Sequence, residues 1–525
     1  MRRVGARPSW RRLLIPPMAG LLVVTGLAAG PAAAGGRGYQ PDFEVVSCDE
    51  EQFAGRLPAG VDAECGLLTV PEDRERPMTE GNTVVLPVVV LKAIAGDPQP
   101  DPVLLLAGGP GGSGIDGSLL SGAGLPGWAQ ALNEQRDVIV LDTRGTGKAQ
   151  PSLLCLDDEL GVTAWLAAIY EIFATTDDPV TERAVLDQAY VDCAADLREQ
   201  GVDLDQYDTP TIAEDLGDLR KALGINKWNV YGVSAGATGT LELLRQQPGG
   251  QRSVVLDSPY APFIEIDPAS LTAYSKAAFH AVIEAVGLDQ GEVEASLAAI
   301  QDRYDSIPYS ATDPYLGVEV NFTGGDAIMI LAWMMGGADL VPLLELFLAN
   351  LQYYDGTDAT AGLSLEPYFG AGVETVFDLF LGYFYPVMSA IGWSTGHFIA
   401  VECADRSQLL DPADYGTVLA AEPVYGNAWF PLPTMPNVCE QVDVEPVPTR
   451  TYKVHQVGVP SLVLAGSLDP QRTPPAVTAQ VSEMLGPWSQ FVEFPRATHG
   501  IAGYSDLDPV SQCADQMIAD FIDAP

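Results

Sequence analysis

The sequence predicts an α/β fold in which a mostly parallel central sheet carries a large, mainly helical lid inserted after the sixth strand. Three observations predict it. Short apolar runs at 84–91, 102–106, 137–141, 253–256 and 460–464 alternate with helix-compatible stretches, and several are apolar throughout, as strands buried on both faces of a parallel sheet must be. A serine stands in Gly232-Val233-Ser234-Ala235-Gly236, where the apolar run 228–231 gives way to the helix-compatible stretch 237–247. The alternation stops after Asp257-Ser258-Pro259 and resumes near His455, leaving about 190 residues with helical patterning such as 269–285 and 327–351.

Taken in order, the chain opens with Arg2, Arg3, Arg7, Arg11 and Arg12, runs through an apolar stretch broken by Pro16 and Pro17, and reaches Ala32-Ala33-Ala34. That is the layout of a secretory signal over 1–34, expected to be cleaved and to leave no stable membrane insertion. The protein is therefore expected outside the cell or at its envelope. With 27 basic and 70 acidic residues the formal charge is −43, which repels nucleic acid and excludes it as a partner. Seven cysteines in an exported chain suggest disulfides. Their order offers Cys48 with Cys65, Cys155 with Cys193 and Cys403 with Cys439, leaving Cys513 over, the alternative being thiols that are simply buried. None has C-x-x-C spacing, so a metal site has no support.

The catalytic unit is expected over 35–260 and 453–525, and the lid over 261–452. Helical spacing of Ile212, Leu216, Leu219 and Leu223 marks an amphipathic helix over 211–223, ahead of the serine. The lid carries Trp333-Met334-Met335, Tyr353-Tyr354 and Tyr383-Phe384-Tyr385; such groups could line a pocket, but the lid's own core is the preferred reading.

A serine hydroxyl needs a base to take its proton and a carboxylate to orient that base. Of four histidines, His280 lies in an apolar helix, His397 in the lid and His455 ahead of a strand, whereas His499 follows the last sheet strand, 490–494, on a loop marked by Gly500. His499 is the candidate base. Asp257 and Asp469 both end strands; Asp469 is preferred because it lies beyond the lid, where its loop can neighbour that of His499 at the carboxyl edge of the sheet. The order Ser234, Asp469, His499 is that of an α/β-hydrolase. An oxyanion needs converging N–H donors, and Ala235, after the nucleophile, and Gly109, in the loop Gly108-Gly109-Pro110-Gly111-Gly112, are the candidates. A phosphate cradle is the poorer reading of that loop, which lacks the P-loop lysine.

Together, Glu64-Cys65-Gly66-Leu67-Leu68-Thr69-Val70-Pro71, the loop 108–114, Asp142-Thr143-Arg144-Gly145-Thr146-Gly147, Asp215-Leu216, Leu223-Gly224, the segment 232–236 and the Asp469 and His499 segments resemble the secreted proline iminopeptidase and tripeptidyl aminopeptidase group of α/β-hydrolases. The resemblance covers nearly the whole mature chain. It implies a lidded serine exopeptidase that acts on peptides from a free N-terminus and needs no cofactor. It also implies that lid carboxylates hold the substrate ammonium, and the segment Val401-Glu402-Cys403-Ala404-Asp405 makes Glu402 or Asp405 the candidate substrate-binding residue. Departures at Ala107, Ala235 and Ala237, and a longer step from Asp469 to Thr473, bear on substrate fit more than on catalysis. A carboxylesterase acting on small or lipid-like esters is the alternative, since it would use the same three residues under a different lid.

Overall fold

Among the described residues seven strands precede the lid: β1 (Asp42–Val46), β2 (Ala63–Val70), β3 (Val84–Leu91), β4 (Val103–Leu106), β5 (Val138–Leu141), β6 (Trp228–Val233) and β7 (Gln251–Asp257). A hairpin of β8 (Tyr309–Thr312) and β9 (Glu319–Phe322) lies within the lid, and β10 (Ser461–Gly466) and β11 (Ser489–Phe494) follow it. This computed structural model describes residues 39–524 apart from 58–59, 80, 120–124, 126, 157–161, 176–177, 411–413, 429–431, 470–472 and 503–508; the signal expected over 1–34 lies outside the described residues.

All strands but the lid hairpin join one sheet in the order β1-β2-β3-β5-β4-β6-β7-β10-β11. The pairs from β5 through β11 are parallel, and β1, β2 and β3 extend the sheet antiparallel. The α/β class and the mostly parallel sheet are thus present, but the lid follows the seventh strand, not the sixth. β1 and β2, which are not among the apolar runs read in the sequence, lie at one end of the sheet. β1 reads Asp-Phe-Glu-Val-Val and is mostly exposed, so it offers no apolar run to read. It is held by Phe43, whose ring lies over Gly66 so closely that a Cβ there would come within 2.2 Å of it.

Alternation along the strands divides the core into two layers. Val103 and Leu105 of β4, Val140 of β5, Val255 of β7 and Leu464 of β10 pack with Trp128 and Ile518 on one face. Leu104, Leu106, Ile139, Leu141, Val230 and Leu256 face the opposite way, onto Leu216 and Leu219 of the helix Thr209–Ala222 and Leu241 and Leu244 of the helix Ala235–Gln246. Gly336, Gly337 and Pro342 break the long helix expected over 327–351 into Gly324–Met334 and Leu344–Tyr353.

The lid is more than the segment between β7 and β10. Helices Ala164–Thr175 and Pro179–Glu199, which follow β5, pack on it: Tyr170 donates to Asp313 at 2.9 Å, Arg183 to the Leu432 carbonyl at 2.7 Å, and Asp187 accepts from Thr434 N–H and Asn437. A boundary at 260 therefore divides the sequence but not the packing.

Disulfides join Cys48 to Cys65, Cys155 to Cys193 and Cys403 to Cys439, and Cys513 is a free, exposed thiol. Cys403 lies on the lid helix Thr395–Arg406 and closes a span of 36 residues. Replacing Cys403 and Cys439 together by serine is expected to cost about 3–4 kcal/mol of stability, read as a lower urea midpoint. Non-reducing peptide maps should recover the three pairs, with Cys513 alkylated before reduction; a bridge that uses Cys513 overturns this scheme.

Candidate active site

Ser234 alone turns the chain between β6 and the helix Ala235–Gln246, and it does so at φ 55° and ψ −121°, a conformation costly for any residue with a side chain. The turn persists because both sides clamp it. Its N–H donates to the Asp257 carbonyl at 3.0 Å, and its carbonyl accepts from Tyr260 N–H at 3.1 Å. A Cβ on Gly232 would fall 2.5 Å from the Gly236 carbonyl oxygen, and one on Gly236 would fall 2.3 Å from that of Leu106, so neither flank admits a side chain. The serine is left half-buried at the head of a helix.

Gly108 brings the glycine-rich loop against the serine. A Cβ there would lie 2.9 Å from Ser234 Cβ and 3.5 Å from its Oγ. Gly109 follows at φ +133°. Ala235 is the first residue of its helix, so its N–H has no acceptor within that helix. The far end of the loop is anchored by the buried Asp142, which accepts from Ser113 Oγ at 2.7 Å, Ile115 N–H at 3.1 Å, Lys148 N–H at 2.9 Å and Arg56 at 2.8 Å.

At the carboxyl edge of the sheet the structure brings His499 and Asp469 together: His499 Nδ1 is 2.8 Å from Asp469 Oδ2, with the carboxylate fully enclosed. A carboxylate at Nδ1 fixes the proton there and leaves Nε2 as the basic nitrogen. Thr473 donates its hydroxyl to the same Asp469 oxygen and stands 3.1 Å from Nδ1. The sequence marks Thr473 only as the end of a longer step from Asp469; its place four residues after that acid was the available signal.

Asp257 has a different position. Its carboxylate accepts from Tyr231 Oη at 2.8 Å, from Ile501 and Ala502 N–H at 3.0 Å each, and from Ser258, while Ser258 Oγ accepts from Gly500 N–H. Its backbone carbonyl holds Ser234, so one residue ties the serine turn to the loop that carries His499. Burial pushes its pKa up.

A cavity that is open to solvent lies beside this turn. Its floor is Ala107, Gly108 and Pro110 to Gly112 with Ala235 and Gly236, its sides are Thr209, Ile212, Thr238 and Tyr260, and His397, Val401, Asp405 and Arg406 of the lid helix bound it opposite. The two lid carboxylates have separate environments. Glu402 is turned away from the cavity lining, wholly buried, 3.1 Å from Arg406 Nε one helical turn on and bonded to Tyr260 Oη at 3.1 Å. Arg406 in turn lies 3.8 Å over the Tyr260 ring and donates to the Ala261 carbonyl. Asp405 lines the cavity and accepts from the Thr209 hydroxyl and N–H. Burial, and then the nearby charge of Asp208, push its pKa up to about 7.

The other expectations fall elsewhere. His280 lies between Glu294 and Tyr425, and His455 against the Arg450 carbonyl. Met334 and Met335 are lid core, Trp333 packs edge-on against Phe380, Tyr353 is exposed and Tyr354 bonds Glu374. The side chains of Phe384 and Tyr385 lie outside the described residues. Tyr260 and Arg406 carried no sequence signal, because their stacking joins segments far apart in the chain.

Comparison with known proteins places residues 101–276 in the family described as alpha/beta hydrolase fold and residues 422–525 in the family described as TAP-like protein. The chain is 26% identical over 270 residues to serine protease Hip1 of Mycobacterium tuberculosis, a match covering 50% of this chain and 49% of that one. It is 28% identical over 241 residues to tripeptidyl aminopeptidase of Streptomyces coelicolor, covering 45% and 41%. The chain thus spans about half, or less, of the length of these curated relatives. Among solved structures, proline iminopeptidase of Mycobacterium smegmatis aligns over 85% of this chain and 96% of its own, at 16% identity and a TM-score of 0.38.

Proposed function

Because the chain belongs to the α/β-hydrolases and ends in a TAP-like segment, we propose that it is a secreted serine exopeptidase cleaving peptides from a free N-terminus through an acyl-enzyme. Ser234 Oγ attacks the scissile carbonyl as His499 Nε2 takes its proton, and Asp469 holds the ring and stabilises the imidazolium. The oxyanion forms opposite the N–H groups of Gly109 and Ala235. His499 then protonates the leaving amine, which departs as the C–N bond breaks, and water repeats the sequence to release the acyl portion and restore Ser234. Named relatives that are a serine protease and a tripeptidyl aminopeptidase support this reading. Three disulfides support an oxidising compartment, and among the described residues no helix is long and apolar enough to cross a membrane.

The observation that carries the exopeptidase reading is Asp405, an acid of the lid that lines the same cavity as Gly108 and Ala235, the neighbours of Ser234. A substrate ammonium would add a second positive charge beside this carboxylate, which Arg406, held from behind by Glu402, already faces. Acetylating the substrate removes that charge. Losing one half of a buried pair costs about 2–5 kcal/mol, so free tripeptide anilides should exceed acetylated ones in kcat/KM by about 30-fold to several-thousand-fold.

The pH dependence isolates the residue. Ionisations of the enzyme common to both substrates cancel in the ratio of free to acetylated kcat/KM. The ratio should therefore rise as Asp405 ionises near pH 7 and fall again as the substrate amine loses its proton near about pH 8, and Asp405→Asn should remove the rising limb. In the unliganded protein the same raised pKa has the opposite sign for stability: the fold binds this proton more tightly than the unfolded chain, so its contribution declines between pH 3.8 and about 7. Equal rates for free and acetylated peptides, with short-chain esters turned over faster than either, would replace this reading with the carboxylesterase one.

A further inference from the structure

The cavity wall carries a histidine for which acyl transfer has no use. His397 lines it from the first turn of the lid helix and is 3% exposed. Its Nδ1 lies 2.8 Å from the carbonyl oxygen of Arg144. A carbonyl only accepts, so Nδ1 carries the proton and Nε2 keeps its lone pair. Burial, with the positive charge of Arg144, pushes the pKa down to about 4, so the ring is uncharged at neutral pH and Nε2 remains an acceptor.

The ring is held beside the catalytic loop. Ser394, which caps the helix, donates its N–H to the Gly111 carbonyl at 2.8 Å and its hydroxyl to the Gly145 carbonyl at 2.9 Å, and Gly396 N–H donates to Leu153. Val401 and Asp405 follow His397 at four-residue steps and share its face. Eight residues of helix separate His397 from Asp405 by about 12 Å along the axis. An extended peptide covers that distance in about three to four residues.

A peptide that enters such a cavity takes main-chain N–H groups out of water, and each then needs an acceptor. On the wall, Arg406 only donates, and the hydroxyls of Thr209, Thr238 and Tyr260, which donate to Asp405, the Tyr260 carbonyl and Glu402, accept only weakly; the basic nitrogen of a neutral imidazole is the stronger acceptor. Asp405 at one end suits the terminal ammonium. His397 at the other suits an N–H within the chain.

We propose that His397 is a specificity-determining residue whose Nε2 accepts a hydrogen bond from a main-chain N–H on the acyl side of the scissile bond, so that the cavity selects unmodified peptide backbone over depsipeptide or N-methylated peptide. The inference rests on the peptidase reading above. Its test is a cycle between enzyme and substrate. Free tripeptide anilides are compared with analogues in which each internal N–H in turn is replaced by an ester oxygen, on the wild-type protein, His397→Asn and His397→Phe. The asparagine amide can still donate to the Arg144 carbonyl but offers nothing at the Nε2 position, and phenylalanine keeps the ring volume. Labelling of Ser234 by a fluorophosphonate reports that each variant retains its site.

In the wild type, one of the replacements should lower kcat/KM by about 10- to 100-fold. In either variant that replacement should cost less than about 2-fold, a loss of coupling that a merely structural histidine would not show. An equal penalty in wild type and variants, or no penalty at any position, overturns the role of His397 while leaving the peptidase reading standing. No turnover of any free peptide by the wild type overturns the peptidase reading itself, and this inference with it.

Discussion

Ser234→Ala is expected to lower turnover by about a million-fold and to abolish covalent labelling by a fluorophosphonate. The size of the effect follows from the position of the residue. Gly108 and Ala235 flank the hydroxyl, and the loop and helix that carry them are built around it, yet neither provides a nucleophile. Alanine keeps the Cβ against which Gly108 packs, and the backbone bonds to Asp257 and Tyr260 do not involve the hydroxyl. The variant should therefore melt close to the wild type, which makes the loss one of chemistry alone. Labelling that persists would remove Ser234 as the nucleophile.

The second large effect separates two aspartates. His499→Ala should lower kcat by several orders of magnitude, and Asp469→Asn by about 10⁴-fold, because an amide at that position turns the imidazole to the wrong tautomer. Asp257→Asn should act differently. Its two carboxylate oxygens each receive a backbone N–H, from Ile501 and Ala502, so an amide must oppose one of them with its own N–H. The expected result is a lower melting temperature and a smaller fall in kcat. If Asp257→Asn is the more damaging to kcat, Asp469 is not the orienting acid.

The parts of this site that the sequence makes legible are those governed by neighbours in the chain. The flanks of Ser234 must be glycine for steric reasons local to the turn, and the fully buried runs of β4, β5 and β10 are apolar because both of their faces are covered. What is not legible depends on partners far away. β1 is an edge strand without an apolar run, and the helices Ala164–Thr175 and Pro179–Glu199 join the lid through contacts with residues more than a hundred positions on. Glu402 and Asp405 illustrate the limit well. Three residues apart on one helix, they are equivalent as sequence candidates, but the helix turns one toward Arg406 and Tyr260 and the other toward the cavity.

The interruption of the sheet by the lid also has a consequence in time. β7 and β10 are neighbours, with Val254 opposite Ser461, yet roughly two hundred residues must be made and folded between them before that pairing can close. Asp469 and His499 come later still, so on the reading proposed above Ser234 gains its base only when the last strands dock at the sheet edge.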